Sequence, residues 1–564
     1  MMRRDNLANR YRKGIINFLN MKKIEGNIVD IYRKKIIPGF ISIENGIITS
    51  IFQNGKKYDH YIIPGFVDSH VHIESSMLTP VEFSKLVIRR GTIAVINDPH
   101  EIANVLGKKG IRFMIENAKD SLIKIFFTIP SCVPSTIYDF SGEFVTSDDI
   151  GELIESGDFI GLSEMMNIPG IICNDPEVMQ KIEMIRKYNL PIDGHAPSLR
   201  GEDLRKYVEA GISTDHECTT LEEALEKISL GMKILIREGS AAKNYESLKS
   251  LIISHPDQVM FCTDDSHPGD LLSLGHIDKM VKRAVADGFD LFDVLKIATI
   301  NPVLHYGLKV GTLRKGETAD FAIVKDLVDF EVLSVFVEGK ERYNLNSELN
   351  SDNQMLSIDY SDLNKFEREP ILVSELKKSV EKDIICIGVI DGEIVTKKEY
   401  FSIQNPSINL ESDLEQDILK IVYLNRYRNT KPQIAYIHGI GLNKGAFATS
   451  ISHDSHNIIA VGCNDQDLAC AINTIILNKG GLSICDSGEI SFLSLPIGGI
   501  MTFSNGIEVA QIWDHLIEKL HAMGCYLSSP FMTLSFMALI VIPELKIGEK
   551  GLFEYSKFHF LSDI

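Results

Sequence analysis

No two of the nine cysteines are spaced C-x-x-C, and all nine are scattered along the chain. That excludes a zinc ribbon and gives no sign of a disulfide framework; a reducing cytoplasm is the compartment such usage fits. The sequence also lacks an apolar run approaching the ~20 residues of a membrane span. Its most apolar stretch, Phe531 to Pro543, is interrupted by Thr533 and Ser535. The start, Met1 to Arg12, is basic and polar without an apolar segment or small-residue cleavage site, so no secretory signal is expected. Basic residues are in deficit, 58 against 77 acidic for a net charge of −19. That imbalance excludes broad binding to nucleic acid or anionic membrane. Gly480-Gly481 and Gly498-Gly499 lack the spacing of a phosphate-binding loop.

What is present is a long globular chain, 564 residues with 44% hydrophobic and 24% charged, enough for two to four cores. The first twenty residues read as a short charged helix. Alternating runs from Asn27 to Phe52, with Asn45-Gly46 as a tight turn, form an all-β piece too short to bury its own faces. From Tyr61 the pattern changes to apolar runs separated by helix-length amphipathic stretches, the first run (Tyr61 to Val67) ending just before two histidines. The runs end in polar clusters marked by His70, Asp98, Ser131, Glu164, His195, His216, Arg237 and Asp264, with gaps of 28, 33, 33, 31, 21, 21 and 27 residues. Each gap holds one helix and a return strand, so the fold class is α/β, a (β/α)₈ TIM-type barrel with its chemistry where the strands end.

The last barrel helix is expected over Leu291 to Ile300, broken at Asn301-Pro302. Strands after Gly311 and over Val332 to Gly339 would join the N-terminal runs in a flanking composite β-sandwich. The expected division is 1–63 for the N-terminal segment and first part of the sandwich, 64–303 for the barrel and 304–343 for the rest of the sandwich. A polar linker over 344–370 then leads to an additional α+β domain over 371–564 that opens with a hairpin at Asp391-Gly392.

The His70-x-His72 pair alone reads equally well as hydrogen-bonded core histidines, and any one of the site candidates taken singly reads first as structural. Together, His70 and His72 from the first strand, Glu164 from the fourth, His195 from the fifth, His216 from the sixth and Asp264 from the eighth give four imidazoles and two carboxylates at one mouth. Such a set suits two divalent first-row ions, with Glu164 bridging, His70, His72 and Asp264 on one and His195 and His216 on the other. A pair of ions lowers the pKa of a shared water, and Asp264 doubles as proton carrier. Hydrolysis of a C–N bond is the chemistry this fits.

Pro64-Gly65-Phe66-Val67-Asp68-Ser69-His70-Val71-His72 resembles the first-strand signature of the amidohydrolase superfamily. Longer strings resemble bacterial adenine deaminases: His72-Ile73-Glu74-Ser75-Ser76-Met77, Asp98-Pro99-His100-Glu101-Ile102-Ala103-Asn104-Val105, Pro130-Ser131-Cys132-Val133-Pro134, Gly161-Leu162-Ser163-Glu164-Met165-Met166-Asn167, Asp193-Gly194-His195-Ala196-Pro197, Arg237-Glu238-Gly239-Ser240 and Thr263-Asp264-Asp265. The likeness continues through Ser452-His453-Asp454-Ser455-His456-Asn457 and Phe531-Met532-Thr533-Leu534-Ser535-Phe536, and so spans nearly the whole chain.

The resemblance implies hydrolysis of adenine to hypoxanthine and ammonia for purine salvage, by attack of a metal-bridging hydroxide on the amino-bearing ring carbon. Asp264 and Glu164 would be catalytic, with manganese or ferrous iron, or zinc, as the two ions. Glu164 stands where many amidohydrolases use a carbamylated lysine. Expected partners are adenine and further copies of the chain, as a dimer or higher oligomer, with no nucleic acid or membrane. Alternatives are deamination of another amino-purine, opening of a cyclic amide, or a non-catalytic scaffold on the same frame. His72-Ile73-Glu74 matches half of the zinc nucleoside deaminase signature, but the P-C-x-x-C half is absent, which rejects that fold.

Further candidates divide between substrate contact and support. Asp98, His100 and Glu101 follow the second strand and would bind ring nitrogens or an additional metal, or brace His70 and His72. Ser131 joins them from the third. Asp265 would point away from the mouth if the strand persists, orienting a ligand or capping a loop. Arg237 and Glu238 would touch the purine or pair with one another. His453, Asp454 and His456 either close the mouth from the C-terminal domain or form a polar turn held locally.

Overall fold

The structure, a computed structural model, describes residues 22–240, 242–347, 362–380, 383–403 and 409–561. The expected charged helix over the first twenty residues lies outside them, as do residues 348–361 of the expected linker.

The early runs form β1 (Lys22–Asp30), β2 (Lys35–Glu44), β3 (Ile47–Gln53) and β4 (Tyr61–Pro64). Asn45 and Gly46 turn β2 into β3 with φ of +51° and +79°, the left-handed pair that a two-residue hairpin needs. The apolar run from Tyr61 to Val67, expected as one strand, divides at Gly65 into β4 and β5 (Phe66–His72). A Cβ on Gly65 would lie 2.4 Å from Ile93, so glycine is required where the chain crosses from the flanking sheet into the barrel. His70 and His72 are therefore the last inward residues of β5 itself and not residues beyond a strand end.

The barrel continues through β6 (Thr92–Asn97), β7 (Lys124–Ile129), β8 (Phe159–Met165), β9 (Ile192–Gly194), β10 (Thr214–Asp215), β11 (Lys233–Arg237), β12 (Val259–Cys262) and β13 (Asp264–Asp265). β5 to β9 pair in parallel order, as do β10 to β12. The seam between β9 and β10 is crossed by Ser213 N–H donating to the Ile192 carbonyl at 2.8 Å. At the other seam the eighth strand divides its pairing, β12 with β11 and its tip β13 with β5. Asp68 fastens that join by accepting from Thr263 N–H at 3.1 Å, with His276 Nε2 at 2.9 Å from its other oxygen. These strands are buried along nearly their whole length, which is why they read as continuous apolar runs and not as alternation.

The last barrel helix does not stop at Asn301-Pro302 but runs Leu291–Tyr306 with Pro302 inside it. An interior proline costs about 3 kcal/mol. Burial of Val294, Leu295, Ile297, Ala298 and Ile300, and Asn301 Nδ2 bonds at 2.7 Å to the carbonyls of Pro256 and Val259, offset it. Gly307, at φ +64°, ends the helix. β14 (Phe321–Val324) then pairs onto β4, and β15 (Val332–Val337) and β16 (Lys340–Asn344) extend the sheet outward from it. Among the described residues the flanking sandwich is one seven-stranded sheet. It curls over Ile28, Ile41, Ile43, Ile48, Leu313 and Phe321, with Ile48 N–H meeting the Glu317 carbonyl at 2.9 Å.

The C-terminal part is built, among the described residues, on a nine-stranded mixed sheet with a smaller three-stranded one. It opens with the hairpin of Asp383–Gly388 and Lys397–Ser402 around Asp391-Gly392. The scattered cysteine spacing did not announce one disulfide, Cys470–Cys485, which joins the helix Asp465–Leu477 to the strand Gly481–Asp486. Apolar side chains of barrel and C-terminal part form one continuous core. No helix among the described residues is long and apolar enough to cross a membrane.

Candidate metal centre

Six side chains from five strand ends meet at the C-terminal mouth of the barrel. His70 Nε2 and His72 Nε2 stand 3.1 Å apart, and Asp264 Oδ1 lies 3.4 Å from the first and 3.1 Å from the second. Glu164 sits between the two halves of the group. Its Oε1 is 3.3 Å from His72 Nε2, and its Oε2 is 2.8 Å from His195 Nδ1 and 3.2 Å from His216 Nε2. The His70 and His216 rings stack at 4.5 Å. Five of the six are at most 6% exposed.

The surroundings fix which atoms face inward. His72 Nδ1 donates to the Asp98 carbonyl at 3.1 Å, leaving the Nε2 lone pair for the mouth. Behind β9 and β10, buried Lys227 donates to the Ala196 carbonyl at 2.6 Å and to Asp215 at 3.0 Å, while Asp215 accepts from Ala196 N–H at 2.8 Å. That brace sets the loops of His195 and His216. A Cβ on Gly194 would lie 2.4 Å from the Thr214 carbonyl, so glycine lets the two strand tips approach.

Burial pushes carboxyl groups toward their neutral form, yet the histidines outweigh it at Glu164 and hold it well below the usual carboxylate range. At Asp264 burial is outweighed by Arg237, then by His70 and His72. Asp264 has φ +57°, a left-handed conformation that a non-glycine residue holds only when its surroundings impose it. Arg237 supplies that hold, donating to Asp264 Oδ2 at 2.6 Å and, on its other side, to Glu217.

Of the additional candidates, Asp98 and His100 form a buried pair at 2.9 Å, with His100 Nδ1 3.5 Å from Glu164. Glu101 accepts from Ser75 Oγ at 2.7 Å. Asp265 also lines the mouth, because the left-handed turn at Asp264 ends the alternation that would have aimed it away. Ser131 lies outside the group, its hydroxyl donating to the Glu164 carbonyl at 2.5 Å and fixing strand β8 from behind. Glu238 is also outside, paired with Arg283 at 3.2 Å, so Arg237 does not pair with it. Sequence reasoning passed over Glu217 as a site residue, although it directly follows His216.

The C-terminal part roofs the mouth. Ile394, His453, Asp454, Phe536 and Leu539 line the same cavity as five of the six, all but His70. The local polar turn considered for His453-Asp454-Ser455-His456 is thus a domain contact, with Asp454 Oδ1 3.7 Å from His100 Nε2. Lys546, fully buried, donates to the carbonyls of Ile394 at 2.6 Å and Phe536 at 2.9 Å.

Burial pushes the Lys546 pKa down to about 7. Between that value and about 10.4, where an unfolded lysine titrates, the unfolded chain binds more protons. Stability therefore rises with pH across this window and is lost as pH falls toward 7. Lys546→Met is expected to remove this component, so that the Tm of the unsubstituted protein gains on the variant between pH 7 and pH 9.5. A pH-independent Tm difference would contradict it.

The donor set tests well against divalent cations. Among the described residues lining the cavity, Arg237 is the one permanent cation facing Glu164, Glu217 and Asp264, and His195 Nε2 is buried without a partner. Buried carboxylates in excess call for further positive charge. Imidazole nitrogens with carboxylate oxygens suit first-row divalent ions.

Residues 61–342 match the amidohydrolase family, which is metal-dependent, and residues 393–559 match the adenine deaminase C-terminal domain. The chain is 47% identical to an adenine deaminase of Methanosarcina mazei and 48% identical to one of Methanosarcina barkeri and one of Sulfurovum. In each comparison the match covers 96% of this chain and 99% of the relative. With a buried His/Asp/Glu cluster at the barrel mouth, a roof from the second matched region and identity sustained from end to end, the chain belongs to the adenine deaminase family of amidohydrolases.

Proposed function

We propose that this protein is an adenine aminohydrolase that uses two divalent cations, manganese or ferrous iron and alternatively zinc, to convert adenine and water to hypoxanthine and ammonia. The observation that carries the reading is the convergence of four imidazoles and two carboxylates beneath a roof built from the region that matches the adenine deaminase C-terminal domain. His70, His72 and Asp264 would hold one ion and His195 and His216 the other, with Glu164 between them. Ions held by these residues would supply the Lewis acidity that makes water a nucleophile near neutral pH.

The chain's own groups do the rest. Asp264 is held ionised by Arg237 and so begins as a proton acceptor. It takes the proton of the attacking water as the C–O bond forms at the amino-bearing ring carbon, then delivers it to the amino nitrogen as the C–N bond breaks. Met166, Ile394, Phe536 and Leu539 offer apolar contact to the faces of a flat ring. Asp454 Oδ2, buried without a partner, offers an acceptor to a ring N–H. A charged hydrogen bond of about 1.5–3 kcal/mol makes Asp454→Ala expected to lower kcat/KM for adenine about 10- to 100-fold, mainly through KM. An unchanged KM would remove Asp454 from substrate recognition.

The activity is tested by ammonia release from adenine, guanine, cytosine and adenosine after reconstitution with manganese, iron or zinc. Adenine is expected to be preferred. Turnover of another ring with none of adenine would favour a different amidohydrolase activity. The domain division at 64–303 and 371–564, a cytoplasmic location, a place in purine salvage and a homo-oligomeric state belong to the same proposal.

A further inference from the structure

A second group of ligand-type side chains lies at the seam between barrel and C-terminal part, beside the six but sharing none of them. Glu101, at the start of the helix His100–Leu106, and Asp265, at the tip of β13, come from the barrel, and Ser75 Oγ ties them together at 2.7 Å and 2.5 Å. His453 and His456 face them from the C-terminal part. His453 Nδ1 is 3.9 Å from Glu101 Oε1, and His456 Nε2 is 3.7 Å from Glu101 Oε2. Ligand atoms of Glu101, Asp265 and His453 all lie within 4.8 Å of one another.

Three of the four are deeply buried, Glu101 and His456 at 0% and His453 at 3% exposure, and Asp265 is half-buried. Yet Glu101 Oε2 and both ring nitrogens of His456 have no hydrogen-bond partner. The spacing decides what would satisfy them. The 3.7 Å between Glu101 Oε2 and His456 Nε2 exceeds a direct hydrogen bond, and two atoms bridged by one water at ordinary lengths stand about 4.5 Å apart. Two donors on one first-row ion, each about 2.1 Å from it, stand roughly 3–4 Å apart. A buried carboxylate oxygen without a partner, facing an imidazole nitrogen without one, is costly without such an ion.

We propose that Glu101, Asp265, His453 and His456 form a third divalent-cation site, distinct from the binuclear group, which pins the C-terminal roof onto the barrel. Imidazole and carboxylate donors in this mixture select a first-row ion. The site does not depend on which ring the enzyme deaminates.

The test counts manganous ions bound to the full-length protein, by electron paramagnetic resonance titration of free ion and by elemental analysis after dialysis. Three per chain are expected for the unsubstituted protein and two for His456→Ala, with ammonia release from adenine retained. Manganese beyond two equivalents is expected to raise Tm in the unsubstituted protein and not in His456→Ala. A count of two in the unsubstituted protein overturns the proposal without reference to any variant. So does a count of three that His456→Ala leaves unchanged. If His216→Ala keeps every ion while His456→Ala loses one, the seam site stands and the binuclear assignment fails.

Discussion

Asp264→Asn is expected to lower kcat for adenine by about 10³-fold or more, toward the upper range for loss of a positioned acid–base group, while bound metal stays near the unsubstituted amount. The substitution keeps the shape of the side chain and five of the six donors. It removes the ionised oxygen that receives the proton from water and passes it to the leaving nitrogen. Arg237 remains anchored on Glu217, so the mouth is expected to keep its form. Elemental analysis alongside steady-state kinetics checks both halves. Near-normal turnover would take Asp264 out of proton transfer, and loss of both metal and turnover would make it a ligand only.

Glu164→Gln has the opposite signature, loss of metal together with activity. Glu164 is the carboxylate on which the two halves of the group converge, within 3.3 Å of His72, 2.8 Å of His195 and 3.2 Å of His216. An amide there carries no charge and turns N–H donors toward imidazole nitrogens that should present lone pairs. Loss of a mere outer-shell partner typically weakens a metal site 10–100-fold, so loss of a shared ligand is expected to exceed about 100-fold in affinity. Glu164→Asp, which keeps the charge on a shorter arm, is expected to recover part of the metal. Full metal occupancy in Glu164→Gln would remove Glu164 from between the ions.

Much of this was legible because parallel barrel strands are covered on both faces. Their runs stay apolar until the chain leaves the barrel, so polar residues at run ends mark the mouth. His70, Asp98, Glu164, His195, His216, Arg237 and Asp264 all fall at such ends. What could not be read depended on register, backbone sign or distance along the chain. Glu217 meets Arg237 because Thr214 and Asp215 sit opposite Lys233 and Ile234, a register no spacing reveals. Asp265 faces the mouth because φ of Asp264 is positive, which no aspartate announces. Pro302 looked like a helix end because its anchors, the Asn301 bonds to the Pro256 and Val259 carbonyls, come from a different turn of the barrel. The roof was hidden for the same reason, with His100 and Asp454 brought together by the whole fold.

Anomalous diffraction from crystals of the manganese-loaded protein asks most directly whether the six side chains hold a pair of cations. Two peaks are expected inside the group, each about 2.0–2.2 Å from its nitrogen and oxygen donors, with Glu164 touching both. Peaks lying elsewhere, or a single peak that leaves His195 and His216 without a metal, would contradict it.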